Sequence, residues 1–335
     1  MKAIAYRQAL PIDAAEALLD LTLPDPVAGG RELLVHVHAV SVNPVDTKVR
    51  RQMAPPEGQA RVLGFDAAGV VEAVGSQASL FKPGDRVFYA GAFDKPGSNA
   101  ELQCVDERLV GRMPALLGFA QAAALPLTSI TAWELLFDRL GATAETEGAL
   151  LIVGAAGGVG SILTQLARQL TRLTAIGSAS RASTQAWVRE LGAHHVIDHR
   201  QPLAAELKRI GIAAVTHAAS LTHTEAHYAQ LVEALAPQGR LGLIDELSAP
   251  LDVRLLKSKS LSLHWEMMFT RSMFETPDMG AQGALLTRVA ELVDAGRLRS
   301  TLGEHFGRIN ADNLRRAHAA VESGSTQGKT VLEGF

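Results

Sequence analysis

From Leu150 onward the chain repeats one pattern: a short apolar run, a turn of small residues, then apolar positions three and four apart. Leu150–Val153 is such a run and Gly154–Gly160 such a turn. Val159, Ile162, Leu163, Leu166, Ala167 and Leu170 mark one face of a helix over Gly158–Leu170. The pattern predicts further strands at Leu173–Ser178, His195–Asp198, Ala214–Ala218, Arg240–Ile244 and Ser260–Trp265. It predicts helices at Ser183–Leu191, Leu203–Ile210 and Thr224–Leu235. Alternation at this spacing requires right-handed crossovers and a parallel sheet. Six strands with a glycine turn after the first describe a doubly wound α/β domain of the Rossmann type.

Residues 1–125 read differently, as mostly β with many turns. Leu33–Val42 alternates or runs apolar, Gly69–Gly75 is a strand between glycines, and Lys82-Pro83-Gly84-Asp85-Arg86 turns into a strand at Val87–Ala90. Phe119–Leu125 and Thr128–Leu140 look helical. After Met268 one long helical stretch, Ala284–Ala295, precedes a β-like tail at Thr330–Leu332 that is expected to return to the first domain. The expected organisation is a discontinuous β-rich domain, 1–125 plus 269–335, around a dinucleotide-type domain, 126–268.

Composition narrows the function classes. The 335 residues are 47% hydrophobic and 20% charged, ample for two cores. A net charge of −3 offers no basic field for nucleic acid. The single cysteine, Cys104, allows neither an intrachain disulfide nor a cysteine-rich zinc site and suits a reducing cytoplasm. No leader-like apolar segment opens the chain and no run approaches twenty apolar residues, so no membrane span is expected.

The turn Gly154-Ala155-Ala156-Gly157-Gly158-Val159-Gly160 carries the first candidate chemistry. Glycines let a pyrophosphate approach the backbone, and the following helix offers N–H groups and a positive dipole end. The spacing is G-x-x-G-x-x-G rather than G-x-G-x-x-G, and a tight turn in which glycine only relieves strain fits the same residues. A P-loop does not fit, because Ser161 follows Gly160 with no lysine.

Five elements in order resemble the medium-chain dehydrogenase/reductases, in their quinone oxidoreductase (zeta-crystallin-like) branch. They are Ser41–Asp46, Leu63–Val71, Phe81–Val87, Ala123–Ala132 and Gly154–Gly160. His264–Ser272 and Gly328–Glu333 resemble the subfamily labelled zinc-type alcohol dehydrogenase-like. The resemblance implies a GroES-like catalytic domain beside the Rossmann domain, an oxidoreductase activity, and a homodimer paired through Ser260–Met267. It also implies that zinc-dependent members place Cys, His and Cys ligands where this chain has Asn43, Phe65 and the Leu125–Pro126 region, so no zinc is expected. His36 with His38, and His223 with His227, are spaced to chelate, but neither pair has a third ligand nearby in sequence, and partly exposed histidines on a strand and at a helix start are the better reading.

An NAD-specific fold places an acid after the second strand, to bind the ribose 2′-hydroxyl. Here Ser178, Ser180 and Arg181 stand there, a set that suits a 2′-phosphate and hence NADPH. Arg181 as a solvated residue at a helix start is the alternative. His199, Ser220, Leu221 and Ile244 follow later strands and are expected along the cofactor. The resemblance puts Thr128 close to the nicotinamide.

Without a metal, the easier chemistry is hydride addition to a quinone or an α,β-unsaturated carbonyl, with hydrogen-bond donors for the charge that develops on oxygen. Asn43 is the donor candidate, and Asp46 either orients it or caps the next turn. Trp265, Met267, Met268 and Phe269 line an acceptor pocket, or belong to the core or a dimer interface. The competing functions are a zinc-type alcohol dehydrogenase with atypical ligands and a non-catalytic, crystallin-like NADPH-binding protein.

Overall fold

The computed structural model describes residues 1–335 and divides them into two units, Met1–Ile130 with Phe269–Phe335, and Thr131–Met268. The first boundary falls inside a helix rather than at 125/126.

The first unit opens with β1 (Lys2–Tyr6), β2 (Leu19–Thr22), β3 (Glu32–Val42), α1 (Pro44–Gln52), β4 (Arg61–Val62), β5 (Asp66–Val74), β6 (Arg86–Tyr89), β7 (Leu102–Asp106) and β8 (Val110–Arg112). α2 (Phe119–Ala123) and α3 (Pro126–Trp133) follow. β3 explains its own alternation: Leu33, Val35 and Val37 point into the core while His36 and His38 are half-buried on the other face. Its last four residues are all buried, because β16 pairs with one side and β5 with the other. Gly69 lies opposite Val37, where a Cβ would come within 2.1 Å of the His36 carbonyl oxygen, so only glycine permits this pairing. α1 is absent from the strand-dominated expectation. Its start signal is legible, with Asn43 at the cap and Pro44 at the first turn.

The second unit contains β9 (Ala149–Val153), α4 (Gly158–Leu170), β10 (Thr174–Ser178), α5 (Ala182–Glu190), β11 (His195–Ile197), α6 (Leu203–Arg209), β12 (Val215–Ser220), α7 (Thr224–Ala234), β13 (Leu235–Leu243) and β14 (Ser262–Trp265). The strands are parallel in the order β11-β10-β9-β12-β13-β14. The order reverses between β9 and β12, which opens a crevice at their carboxyl ends. Every residue of β9 is buried, as its uninterrupted apolar run requires of a central parallel strand. The Thr128–Leu140 helix of the sequence reading breaks up: α3 gives way at Glu134–Arg139 to a wider π turn, with Leu140 N bonded to the Leu135 carbonyl.

The chain returns to the first unit with α8 (Thr270–Met273), α9 (Ala281–Asp294), β15 (Leu302–His305), α10 (Ala311–Glu322) and β16 (Lys329–Glu333). The tail rejoins the sheet as expected, with β16 antiparallel to β3. α10 corrects the expectation of a single long helix in this region. Its buried face is Ala311, Leu314, Ala317 and His318, too weakly apolar to register as a stripe.

Candidate active site

In the second unit the turn after β9 is built by its glycines. Gly154 has φ +83°, a conformation that side chains other than glycine's resist. A Cβ on Gly160 would lie 2.4 Å from the Gly154 carbonyl oxygen, so Gly160 lets α4 pack against the turn. Ala155 and Gly160 are buried, while Gly154, Ala156, Gly157, Gly158 and Val159 stay partly exposed. α4 starts at Gly158 with no side chain capping it, which leaves the first-turn N–H groups and dipole end available to an anion.

Ser178 does not face outward. It is 1% exposed, and its Oγ accepts from Gly154 N at 3.3 Å and lies 3.2 Å from His199 Nδ1. This serine ties the glycine turn to His199, whose pKa burial pushes down. Ser180 is partly exposed and Arg181 is exposed at the start of α5. Beside them stands a residue the sequence reading passed over, Arg200. Its Nη2 donates to the Ser180 carbonyl at 2.9 Å, and its Nε and Nη2 grip Asp198 side-on, which leaves its Nη1 donors. The Asp-His-Arg sequence after β11 was the available signal. Ser220 is buried and bonded to Thr224 Oγ1 at 2.8 Å; Leu221 and Ile244 are partly exposed at the same sheet edge. His227 meets His199 edge-on, with 6.1 Å between ring centroids. No cluster of three metal-ligating side chains forms around them.

In the first unit, Asn43, Asp46, Asp66 and Lys329 form a buried polar cluster, each no more than 3% exposed. Asp66 Oδ2 accepts from Ser41 Oγ (2.7 Å) and Asn43 Nδ2 (2.8 Å), and its Oδ1 accepts from Leu127 N (2.7 Å) at the start of α3. The second amide hydrogen of Asn43 has only a 3.5 Å contact, to the Ser41 carbonyl. Asp46 accepts from Asn43 N (2.7 Å) and Gly64 N (3.2 Å), so it caps α1 from inside. Burial pushes its carboxyl up to about 7, against the pull of the two N–H donors and Lys329. Thr128 is buried, its Oγ1 bonded to the Leu125 carbonyl at 3.1 Å.

A zinc ion does not fit this donor set. Asn43 and Phe65 offer neither thiolate nor imidazole, and Leu125 is fully buried hydrocarbon. Phe65 instead packs in an aromatic group with Phe93 and Phe269, centroids 4.8–6.1 Å apart. Phe269 and Met268 are therefore core residues, whereas Trp265 and Met267 are about half exposed.

Two family models cover most of the chain: an alcohol dehydrogenase GroES-like domain over residues 29–132 and a zinc-binding dehydrogenase over 191–332. A zinc-type alcohol dehydrogenase-like protein of Staphylococcus epidermidis is 39% identical, with 99% of each chain covered. A solved structure from Rhizobium etli CFN 42, provisionally described as a zinc-dependent alcohol dehydrogenase, is 56% identical over 100% of this chain and 98% of that one, with a TM-score of 0.96. Escherichia coli quinone oxidoreductase complexed with NADPH superposes with a TM-score of 0.84 at 25% identity, covering 99% and 100%. The chain belongs to the medium-chain dehydrogenase/reductase superfamily, among its zinc-type alcohol dehydrogenase-like proteins.

Proposed function

We propose that this oxidoreductase uses NADPH to reduce a quinone or an α,β-unsaturated carbonyl, without a catalytic metal. The observation that carries the cofactor choice is the edge beyond β10. Arg200 reaches Ser180 there, next to Arg181 in sequence, and the Asp198 carboxylate is held side-on by Arg200. Guanidinium groups suit a 2′-phosphate, whereas a carboxylate aimed at the ribose would repel it. The Escherichia coli neighbour, solved with NADPH, supports the same cofactor class.

Gly154, Ala156, Gly157, Gly158 and Val159 would take the pyrophosphate on backbone N–H groups, and Ala155 and Gly160 would keep the turn close to α4. Ser178 and His199 would brace that turn; Ser220, Leu221 and Ile244 would border the cofactor. NADPH supplies the hydride when bound. Thr128 would stand near the nicotinamide. Asn43 would offer the amide hydrogen that has only the long Ser41 contact to charge developing on the acceptor oxygen. Asp46 would hold Asn43 in place through its backbone N–H. The acceptors follow from the donor set: with no zinc ligands to activate an alcohol, an already electrophilic carbonyl is the easier partner.

A homodimer is part of the proposal. β14 is the last strand of its sheet, and Trp265 on it, Met267 just after it and Val253 and Leu255 just before it are exposed apolar residues. No helix is long and apolar enough to cross a membrane, and the lone Cys104 suits a reducing cytoplasm.

The deciding experiment follows NADPH and NADH oxidation in parallel across a panel of quinones, enones and simple aldehydes, with metal analysis of the same preparation. NADPH oxidation by quinones or enones, with zinc well below one per chain, is expected. Turnover only with NADH, or zinc-dependent alcohol oxidation, would reject the reading.

A further inference from the structure

Lys329 is a lysine that almost nothing solvates. It opens β16, is 3% exposed, and brings its ammonium to the ends of three other segments. Nζ donates to the Val42 carbonyl at 3.0 Å and to Asn43 Oδ1, and lies 3.1 Å from Asp66 Oδ2. Three acceptors use all three N–H bonds of an ammonium. Asp66, fully buried, collects four donors in turn: Ser41 Oγ, Asn43 Nδ2, Leu127 N and Lys329. A carboxylate buried away from solvent needs hydrogen-bond donors and a cation in contact, and Lys329 is the cation that touches it. Asp46, in the same cluster, also feels Lys329's charge.

We infer that Lys329 is the resident cation of this site: the chain's own ammonium does beside Asn43 and Asp66 the charge-balancing that the zinc-type family names assign to a metal. The inference extends the metal-free reading above but does not depend on which acceptor is reduced. It also explains the identity of Asn43. A carboxamide can give its N–H to Asp66 and its oxygen to Lys329 at once, which a thiolate ligand could not. A cation entering from solvent would have to displace a covalently tethered one whose three hydrogen bonds are complete. The family names are therefore misleading for this chain at the level of the metal, while correct for the fold.

The test is a charge-compensation cycle on the full chain, with metal uptake beside it. Lys329→Met keeps the side-chain length and strands the Asp66 carboxylate. Lys329→Met with Asp66→Asn removes both charges and keeps the shapes. The single variant is expected to melt well below wild type, and the double variant to recover at least half of the loss, as neutralised buried pairs do. Wild type dialysed against zinc and then against zinc-free buffer is expected to retain far less than one zinc per chain. A single variant as stable as wild type, or a double variant no better than the single, would overturn the inference. So would stoichiometric zinc retained by wild type. Where Lys329→Met fails to fold, the double variant and the wild-type zinc measurement still decide. Failure to find an acceptor would sink the functional proposal and leave these melting temperatures untouched.

Discussion

Arg181 and Arg200 should divide NADPH from NADH by charge. Arg200 holds Asp198 while its Nη1 donors remain, so Arg200→Ala removes a cation and also releases a carboxylate at the same edge. Both changes act against a 2′-phosphate. Loss of charge-assisted hydrogen bonds should weaken NADPH roughly 10-fold or more, with little change for NADH, in Arg200→Ala and in Arg181→Ala. Titration of cofactor fluorescence measures this; equal losses for both cofactors would remove these arginines from the phosphate site. Gly160 acts through what it lacks. A Cβ would meet the Gly154 carbonyl at 2.4 Å and Ala155 Cα at 2.5 Å, both backbone atoms that cannot rotate away. Gly160→Ala should cost about 1–3 kcal/mol in chemical denaturation and weaken binding of either cofactor.

At the scale of elements, the π turn at Glu134–Arg139 brings two acids and one base together. Glu266, just after β14, is 3% exposed; its Oε2 accepts from Arg139 Nε at 2.8 Å. Its Oε1 has no donor except through the Glu134 carboxyl beside it, which can serve only if the pair holds a proton. Burial and the neighbouring Glu134 raise the Glu266 carboxyl from 4.5 to about 9. Between those values the folded chain binds a proton that the unfolded chain has released. Stability therefore falls as pH rises from about 4.5 and levels off above about 9. Glu266→Gln should melt above wild type at pH 8, by a few degrees, and the difference should vanish toward pH 5. Calorimetry across that range checks it; a difference independent of pH would mean that Glu266 is ionised in the fold. The elements themselves were unequally legible. α4 matches its sequence reading from Gly158 to Leu170 because a strong local stripe and a glycine turn bound it. α1 and α10 escaped because their buried faces mix Asp46, Thr47, Arg50 and His318 with apolar residues. Periodicity registers hydrophobicity, and Asp46, Thr47 and Arg50 are buried through hydrogen bonds instead.

For the whole molecule, the outer edge of β14 bears on assembly. Trp265→Glu with Met267→Glu should leave the fold intact, because both side chains are about half exposed, and should shift the proposed dimer to monomer in light scattering. An unchanged mass would place any interface elsewhere.

The sequence by itself determined the architecture: a β-rich part, a doubly wound part, the glycine turn between β9 and α4, and the return of the tail. Those signals are local, carried by periods of two and 3.6 residues and by glycine. Its resemblance to the family also implied that the usual zinc ligands are replaced at Asn43 and Phe65. Only the tertiary structure decided which charged group lies against Asn43. Lys329 lies 286 positions from Asn43, and no local pattern marks it as anything but a polar residue at a strand start. The same holds for Ser178, read as a phosphate contact and found bracing the turn, and for Arg200, brought to Ser180 by the pairing of β10 with β11. Side-chain partners are set by which strands lie side by side, and that is a property of the closed fold.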